Sequence, residues 1–138
     1  MNFLIFKPIY KERIWGGQNL KYFFKRDIQS KIKIGESWEI VDRPDEVSIV
    51  SRGDFYGQTL REIIEKNYNI LLGPKWKANK RFPILVKWLN CEKTLSLQVH
   101  PPKSIALLLG GESKTENWYI VKSQKKSNIF LGLKNGIS

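Results

Sequence analysis

Three side chains that can bind a metal ion lie close together in the second half of the chain. Gln98 and His100 alternate along the stretch 95–100, and Glu116 follows after a loop that contains two glycines. Alternate side chains of an extended strand share one face, so this spacing predicts that Gln98 and His100 point the same way, with Ser96 beside them. Glu116 begins a second apolar stretch, where its carboxylate can meet them across a sheet. Such oxygen and nitrogen donors predict a zinc site that still needs a fourth ligand.

The residues alone leave a simpler interpretation open. His100 is the only histidine, and a lone histidine at the end of a strand is more commonly an ordinary hydrogen-bonded residue than a metal ligand. The only cysteine, Cys91, lies too far along the chain to be an obvious substitute ligand. We expect Cys91 to be a small, buried or half-buried residue at the end of a strand. A single thiol also fits a reducing compartment, because it excludes an internal disulfide.

Apolar stretches around this motif predict a mainly β protein with one prominent helix. Thr59 and Glu62 form a capping box that starts the helix, and Gly73 followed by Pro74 ends it. Short helices are expected at 18–24 and 103–109, the latter with Ser104 as its N-cap. Residues 14–17 are predicted to form a turn, and Asn135 with Gly136 is predicted to form a second turn. Strands are predicted at 3–6, 35–41, 47–50, 82–89, 95–100, 118–121 and 129–133, with 35–41 and 47–50 forming a hairpin.

One charged residue interrupts the most apolar of these stretches. Lys87 lies within 82–89, which is apolar on both faces and is therefore predicted to be a buried strand. An ammonium group in a buried strand costs several kcal/mol unless it is paired or opens to a polar cavity. Lys87 therefore either extends its amine to water or belongs to a site.

Composition limits the classes of protein that the chain can be. Its 138 residues suit one domain over residues 1–138. The only apolar run near the start is too short for a signal sequence or a bilayer span, so a cytoplasmic protein without a membrane partner is expected. The net charge of +11 raises nucleic acid as a partner. The lysines are scattered along the chain and outnumber the arginines, whereas proteins that recognise nucleic-acid bases favour arginine. A solvated surface or an anionic small substrate therefore explains the charge better.

Five blocks of sequence together resemble one enzyme family, the type I mannose-6-phosphate isomerases, which are zinc enzymes of the cupin superfamily. The blocks occur in the family's order with family-like spacing, and they are IWGG at 14–17, GESW at 35–38, FPILVK at 82–87, LSLQVHP at 95–101 and KTENWY at 114–119. The resemblance covers nearly the whole chain but only the N-terminal portion of the family's length. It implies a cupin or jelly-roll-like fold that is incomplete relative to the full family fold.

The resemblance also implies an activity and a set of site residues. The family interconverts mannose 6-phosphate and fructose 6-phosphate through an enediol. Zinc would be bound by Gln98, His100 and Glu116, with a second histidine as fourth ligand in a C-terminal portion. Ser96 and Lys114 match positions around the sugar phosphate and are the candidate catalytic and substrate-binding residues. Lys87 matches another substrate-binding position. Trp15, Glu36 and Trp38 match family motifs and are candidates for the pocket wall. Pro102 departs from the family, which commonly has an acidic residue at this position.

Three interpretations of function therefore remain open for the chain. It is either a zinc-dependent isomerase, truncated or completed by a C-terminal fragment in trans, or a catalytically inactive cupin-like remnant that binds a sugar phosphate or a protein partner. A nucleic-acid-binding domain is a third interpretation that rests on net charge alone.

Overall fold

A computed structural model of the chain describes residues 3–132, 134 and 136. The described residues form two compact units, one up to Ser96 and one from Leu97 onward. The predicted positions Leu133 and Asn135 lie outside the described residues. Among the described residues, none of the helices is long and apolar enough to cross a bilayer.

The first unit is built on two antiparallel sheets. The strands are β1 (Ile5–Phe6), β2 (Ile9–Gly17), β3 (Ile34–Ile40), β4 (Val50–Arg52) and β5 (Val86–Leu89). The larger sheet has the order β2-β3-β5, and β1 pairs with β4 in a second sheet. Lys11 lies opposite Glu36 between β2 and β3, and Trp38 lies opposite Lys87 between β3 and β5. Opposed residues of an antiparallel pair share a face, so this register decides which side chains can meet.

The turn predicted at 14–17 is wrong, because these residues are the end of the nine-residue strand β2. The glycine pair that suggested a turn instead allows two backbones to approach. A Cβ atom on Gly16 would lie 2.5 Å from the backbone nitrogen of Gly35, a separation that no ordinary side chain tolerates. The pairing of β2 with β3 is irregular between Glu12 and Gly17. Glycine is therefore used here for close strand packing rather than for reversing the chain.

Within the part of the chain that the structure describes, three helices lie close to their predicted positions. They are α1 (Asn19–Phe24), α2 (Leu60–Leu72) and α3 (Lys103–Leu108). The capping box of α2 is confirmed, since the Thr59 hydroxyl accepts the amide of Glu62 and the Glu62 carboxylate accepts the amide of Thr59. Gly73 ends α2 with a positive φ of 89°. The predicted cap of α3 is wrong, because its N-cap is Pro102, which makes no side-chain capping bond.

Several predicted strands are shorter than expected or not formed. Only the last four residues of 82–89 form β5, and this strand is not buried, since Val86 is 48% exposed. In the predicted hairpin partner at 47–50, Val47 forms a bridge to Asp42 and Ile49 forms a bridge to Thr59. Strand β4 begins at Val50 and pairs with β1. Within the described residues after Leu89, the stretches 95–100, 118–121 and 129–132 are not strands. An alternating pattern becomes a strand only when a neighbouring backbone completes its hydrogen bonds.

The apolar core of the larger sheet lies on one face. Leu20, Ile28 and Ile34 are buried together there, and the partly buried side chains packed on them are Tyr10, Phe24, Ile32 and Trp88. Because Tyr10 and Trp88 both lie opposite Ser37 on β3, this core covers the Ser37 face of the sheet. Glu36 and its cross-strand neighbours therefore occupy the other face.

A buried carboxylate joins three separate parts of the first unit. The Asp42 side chain is fully buried. Its Oδ1 accepts Arg81 Nη1 at 2.8 Å, and its Oδ2 accepts the amide of Phe82 at 2.9 Å and lies 3.2 Å from Arg61 Nη1 on α2. The cluster connects the end of β3, helix α2 and the segment that leads into β5.

Changes at the capping box are expected to alter stability in a pH-dependent way. Thr59→Ala should lower the free energy of unfolding by about 1 kcal/mol. Hydrogen bonds from the Thr59 backbone and hydroxyl hold the pKa of Glu62 below its usual range. That stabilisation is present above the unfolded pKa and is lost as pH falls through the lower folded pKa. Urea unfolding across the acid range should show a smaller loss for Glu62→Gln than for the unchanged chain, and an equal loss would contradict the assignment.

Candidate functional site

Two of the three predicted metal ligands meet in the second unit. His100 Nε2 lies 3.7 Å from Glu116 Oε2, and Lys114 Nζ lies 3.1 Å from Glu116 Oε1. The Glu116 side chain is 19% exposed, against 31% for His100 and 41% for Lys114. The carboxylate is thus the most enclosed group, with an imidazole on one oxygen and an ammonium on the other.

The spacing of these groups fits a shared zinc ion. Two ligand atoms about 2.1 Å from a tetrahedral ion lie about 3.4 Å apart, and the observed separation between His100 and Glu116 is 3.7 Å. Among the described residues, no group of three or more His, Cys, Asp and Glu side chains is placed to hold a metal. The third predicted donor is the side-chain amide of Gln98, and glutamine is not one of these four residue types. The contact between His100 and Glu116 therefore brings together two side chains of types that zinc accepts as ligands.

The strand that was expected to align Gln98 and Ser96 with His100 is not formed. All three residues lie in an irregular, exposed stretch, so their common face cannot be inferred from strand alternation. Gln98 and Ser96 each make an interaction in the structure. Their roles as a zinc ligand and a substrate-binding residue stay predictions.

A second cluster of charge, which we call the Glu36 face, lies on the larger sheet of the first unit. It consists of Lys11, Arg13, Glu36, Trp38 and Lys87. Glu36 Oε1 lies 3.4 Å from Arg13 Nε and 3.8 Å from Lys87 Nζ. Glu36 Oε2 accepts the indole N–H of Trp38 at 2.7 Å. The Glu36 side chain is only 7% exposed.

Lys87 is explained by this cluster. Its side chain is 16% exposed and is ion-paired with Glu36, so the charge in the apolar stretch is compensated by a buried carboxylate. Glu36 and Trp38 alternate along β3 and lie on one face. The structure therefore joins Lys87 to these two residues, which were predicted separately from it as candidates for the pocket wall.

Arg13 and Lys11 are the members of the Glu36 face that the sequence analysis missed. A usable signal exists, since Lys11, Arg13 and Trp15 alternate along β2. It was obscured because 14–17 were interpreted as a turn. Lys11 also belongs to this face, with its amine paired with Glu46 and lying 4.7 Å from the centre of the Trp38 ring.

Cys91 lies beside the Glu36 face. Burial of its thiol raises the Cys91 pKa, the negative charge of Glu36 raises it further, and Lys87 acts in the opposite direction. The residue as a whole is exposed, so the prediction that it is a buried or half-buried position is wrong. It follows β5 closely, where the chain leaves the sheet. A raised pKa keeps the thiol protonated and weakly reactive near neutral pH.

The opposite face of the sheet holds a structural pair. Arg26 binds Glu39 with two hydrogen bonds of 2.8 and 2.9 Å and also donates to the Ser37 hydroxyl at 2.6 Å. Burial is the main cause of the raised pKa of the nearby Tyr10. These contacts tie the segment after α1 to β3 and close that face with the apolar core.

Comparison with known proteins gives the chain a family. Residues 3–131 match the family described as phosphomannose isomerase type I, catalytic domain. The chain is 40% identical over 131 residues to mannose-6-phosphate isomerase ManA of Bacillus subtilis, covering 94% of this chain and 40% of that protein. It is 36% identical over 122 residues to the mannose-6-phosphate isomerase of Streptococcus mutans, covering 88% of this chain and 37% of that protein.

A solved structure shows the same fold. The crystal structure of the Bacillus subtilis mannose 6-phosphate isomerase superposes with a TM-score of 0.65 at 34% identity, covering 76% of this chain and 32% of that one. This likeness confirms the expected mainly β fold with short helices and its partial coverage of the family fold. The chain spans about 40% of the length of the curated relatives that it matches. Since the match extends over nearly all of its residues, the chain belongs to the type I phosphomannose isomerase family and corresponds to the N-terminal part of these relatives.

Proposed function

We propose that this chain supplies the zinc-binding groups and part of the sugar-phosphate-binding surface of a mannose-6-phosphate isomerase. The observation that carries the proposal is the contact of Glu116 with both His100 and Lys114. A carboxylate between a metal-binding imidazole and an ammonium group suits a site that handles a metal ion and an anionic substrate together. Family membership supports the substrate class, since the relatives are mannose-6-phosphate isomerases.

In this proposal the zinc ligands are Gln98, His100 and Glu116. Zinc, when bound, supplies Lewis-acid chemistry that polarises a substrate oxygen. The neutral amide of Gln98 withdraws little of the ion's positive charge, which favours that role. The Lys114 ammonium lies 3.1 Å from Glu116 Oε1, so it would share this carboxylate with the metal ion.

The reaction converts an aldose into a ketose. A proton leaves C2 of mannose 6-phosphate and one is added at C1, while the proton on O2 is lost and O1 gains one, so atoms balance through an enediol. Lys114 and Ser96 are proposed to act at the reacting oxygens by donating hydrogen bonds that stabilise the developing negative charge. Lys87 is proposed to bind the substrate, since ammonium groups make charge-assisted hydrogen bonds to phosphate.

Catalysis by this arrangement requires a further protein portion. The chain covers about 40% of the length of its relatives, and the three zinc ligands proposed here leave one position of a tetrahedral ion open. We propose that a C-terminal portion, joined to this chain or added in trans, contributes the fourth zinc ligand.

Metal analysis combined with an isomerase assay tests the proposal. The purified chain is expected to bind about one zinc ion, and fructose 6-phosphate formation is expected once a separately expressed C-terminal fragment is added. Zinc and sugar-phosphate binding without turnover, with the fragment present, would favour the inactive remnant. A chain that binds neither zinc nor sugar phosphate, with or without the fragment, would overturn the proposed function. Tighter binding of RNA than of sugar phosphate at the same salt concentration would favour the nucleic-acid interpretation.

A further inference from the structure

An apolar groove lies on the first unit, next to helix α2. Its volume is about 330 Å³, and every described residue that lines it is apolar. The walls come from β1, β3, α2 and the segment before β5, and they include Phe6, Ile40, Leu60, Ile64, Leu71 and Phe82. Phe3 also lines the groove and is 74% exposed. A concave apolar surface of this kind is typical of a binding site.

A strongly basic loop, residues 75–81, adjoins this groove at both of its ends. Its basic residues are Lys75, Lys77, Lys80 and Arg81, and it contains no acidic residue. All four are exposed. Leu72, shortly before the loop, and Phe82, directly after it, both line the groove. Positive charge therefore lies beside the apolar walls.

Contacts within the first unit fix the loop and one wall of the groove. Arg61 on α2 donates to the carbonyl oxygens of Ala78 at 3.0 Å and of Lys80 at 3.2 Å. The buried carboxylate of Asp42 accepts the amide of Phe82 at 2.9 Å. A surface that is fixed before binding loses less conformational entropy when a partner docks.

The chemistry of the groove and the loop selects one kind of occupant. A second copy of the chain would bring a net charge of +11 against an equal one, and like charges oppose that association. A nucleic acid would use the lysines but not the apolar walls. A polypeptide segment with apolar side chains flanked by carboxylates uses both features, because its charge complements the loop.

We propose that the groove and the basic loop together bind an acidic segment of a partner polypeptide. Apolar side chains of that segment occupy the groove, and its carboxylates pair with the lysines of the loop. This site is independent of the proposed isomerase function, because the residues assigned to zinc and to the sugar phosphate neither line the groove nor belong to the loop.

Fluorescence anisotropy with a labelled synthetic peptide tests the site on the 138-residue chain. The peptide has a leucine-rich centre flanked by glutamates, and its counterpart carries lysine in place of each glutamate. The acidic peptide is expected to bind at least about tenfold more tightly than the basic one, and added salt should weaken its binding. Equal binding of the two peptides, or no binding of either, would overturn the proposal.

Phe3→Ala tests the contribution of the groove. Because Phe3 is mostly exposed, the variant is expected to fold, and it should bind the acidic peptide about tenfold more weakly through loss of apolar contact. Phe130→Ala is the matched control, since Phe130 is also exposed and does not line the groove. If Phe3→Ala binds the peptide as tightly as the control, the loop merely attracts anions and the docking site is wrong.

A pair of lysine substitutions tests the contribution of the loop. Lys75→Gln combined with Lys77→Gln should weaken binding of the acidic peptide by about fivefold, as expected for two exposed ion pairs. Lys125→Gln combined with Lys126→Gln removes the same charge from exposed lysines outside the loop and should have a much smaller effect. Equal losses in the two double variants would assign binding to net charge and overturn the site.

Sedimentation of the chain without peptide tests the competing occupant. The chain is expected to remain monomeric at the concentrations of the binding assay. A concentration-dependent dimer that Phe3→Ala dissociates would show that a second copy occupies the groove, and the proposal of an acidic partner would then be wrong.

Discussion

Replacing Asp42 by alanine is expected to lower the free energy of unfolding by about 3–5 kcal/mol. The Asp42 side chain is fully buried, is ion-paired with Arg61 and Arg81, and accepts a hydrogen bond from the amide of Phe82. Its removal leaves the Arg61 guanidinium, which is 15% exposed, without its buried carboxylate. Arg81 is 43% exposed, so water replaces most of its interaction. The cost therefore comes mainly from Arg61 and from the backbone amide of Phe82.

Urea unfolding followed by tryptophan fluorescence measures this effect. Asp54→Ala is the matched control, because Asp54 is an exposed aspartate in the turn after β4, and its replacement should change the free energy of unfolding by less than about 0.5 kcal/mol. Asp42→Asn keeps the shape of the side chain and should be intermediate. If Asp42→Ala is no less stable than the control, Asp42 does not hold α2 and the segment before β5 together.

The parts of the fold that the sequence predicted correctly depend on local chemistry. Helix α2 was predicted because Thr59 and Glu62 satisfy each other's backbone amides within one turn. Helix α1 and the core of β3 were likewise found from their own residues. In each case the signal and the structure lie within a few positions of each other, so no distant partner had to be known.

The parts that failed depend on distant partners. Strand β2 was missed because Gly16 and Gly17 suit a turn equally well, and only the close approach of Gly35 makes a strand the better use of them. The stretch 95–100 alternates as a strand should, yet it is irregular in the described structure. A local pattern records which side chains are apolar but not which backbone will pair with theirs.

The candidate site shows the same division. Contact between His100 and Glu116 was expected across two predicted strands, and it is observed although neither strand is formed. The grouping of Arg13 with Glu36 and Lys87 was not predicted, because it requires the order and register of three strands that are far apart in sequence. The contact of Arg13 with Glu36 can be recognised only once β3 is known to pair with β2.

The largest functional effect is expected from His100 and Glu116, the two proposed zinc ligands that are in contact. His100→Ala and Glu116→Gln should each weaken zinc binding by about 100-fold or more, because loss of an outer-shell partner alone typically costs about 10- to 100-fold. Both groups contribute a donor atom at a separation that suits one ion. Competition with a chromophoric chelator measures the change. Glu112→Gln is the control, since it alters an exposed carboxylate of the same unit that the zinc proposal does not use.

Replacing Lys114 is expected to change zinc binding in the direction opposite to the changes at His100 and Glu116. Its ammonium lies 3.1 Å from Glu116 Oε1 and therefore competes with a metal cation for the same carboxylate. Lys114→Met removes that cation and should strengthen zinc binding, while weakening the binding of fructose 6-phosphate, which gains from the positive charge. A shared zinc site predicts that the two affinities change in opposite directions. A purely structural ion pair predicts no change in the affinity for zinc or for fructose 6-phosphate. If His100→Ala and Glu116→Gln bind zinc as tightly as the unchanged chain, the metal lies elsewhere.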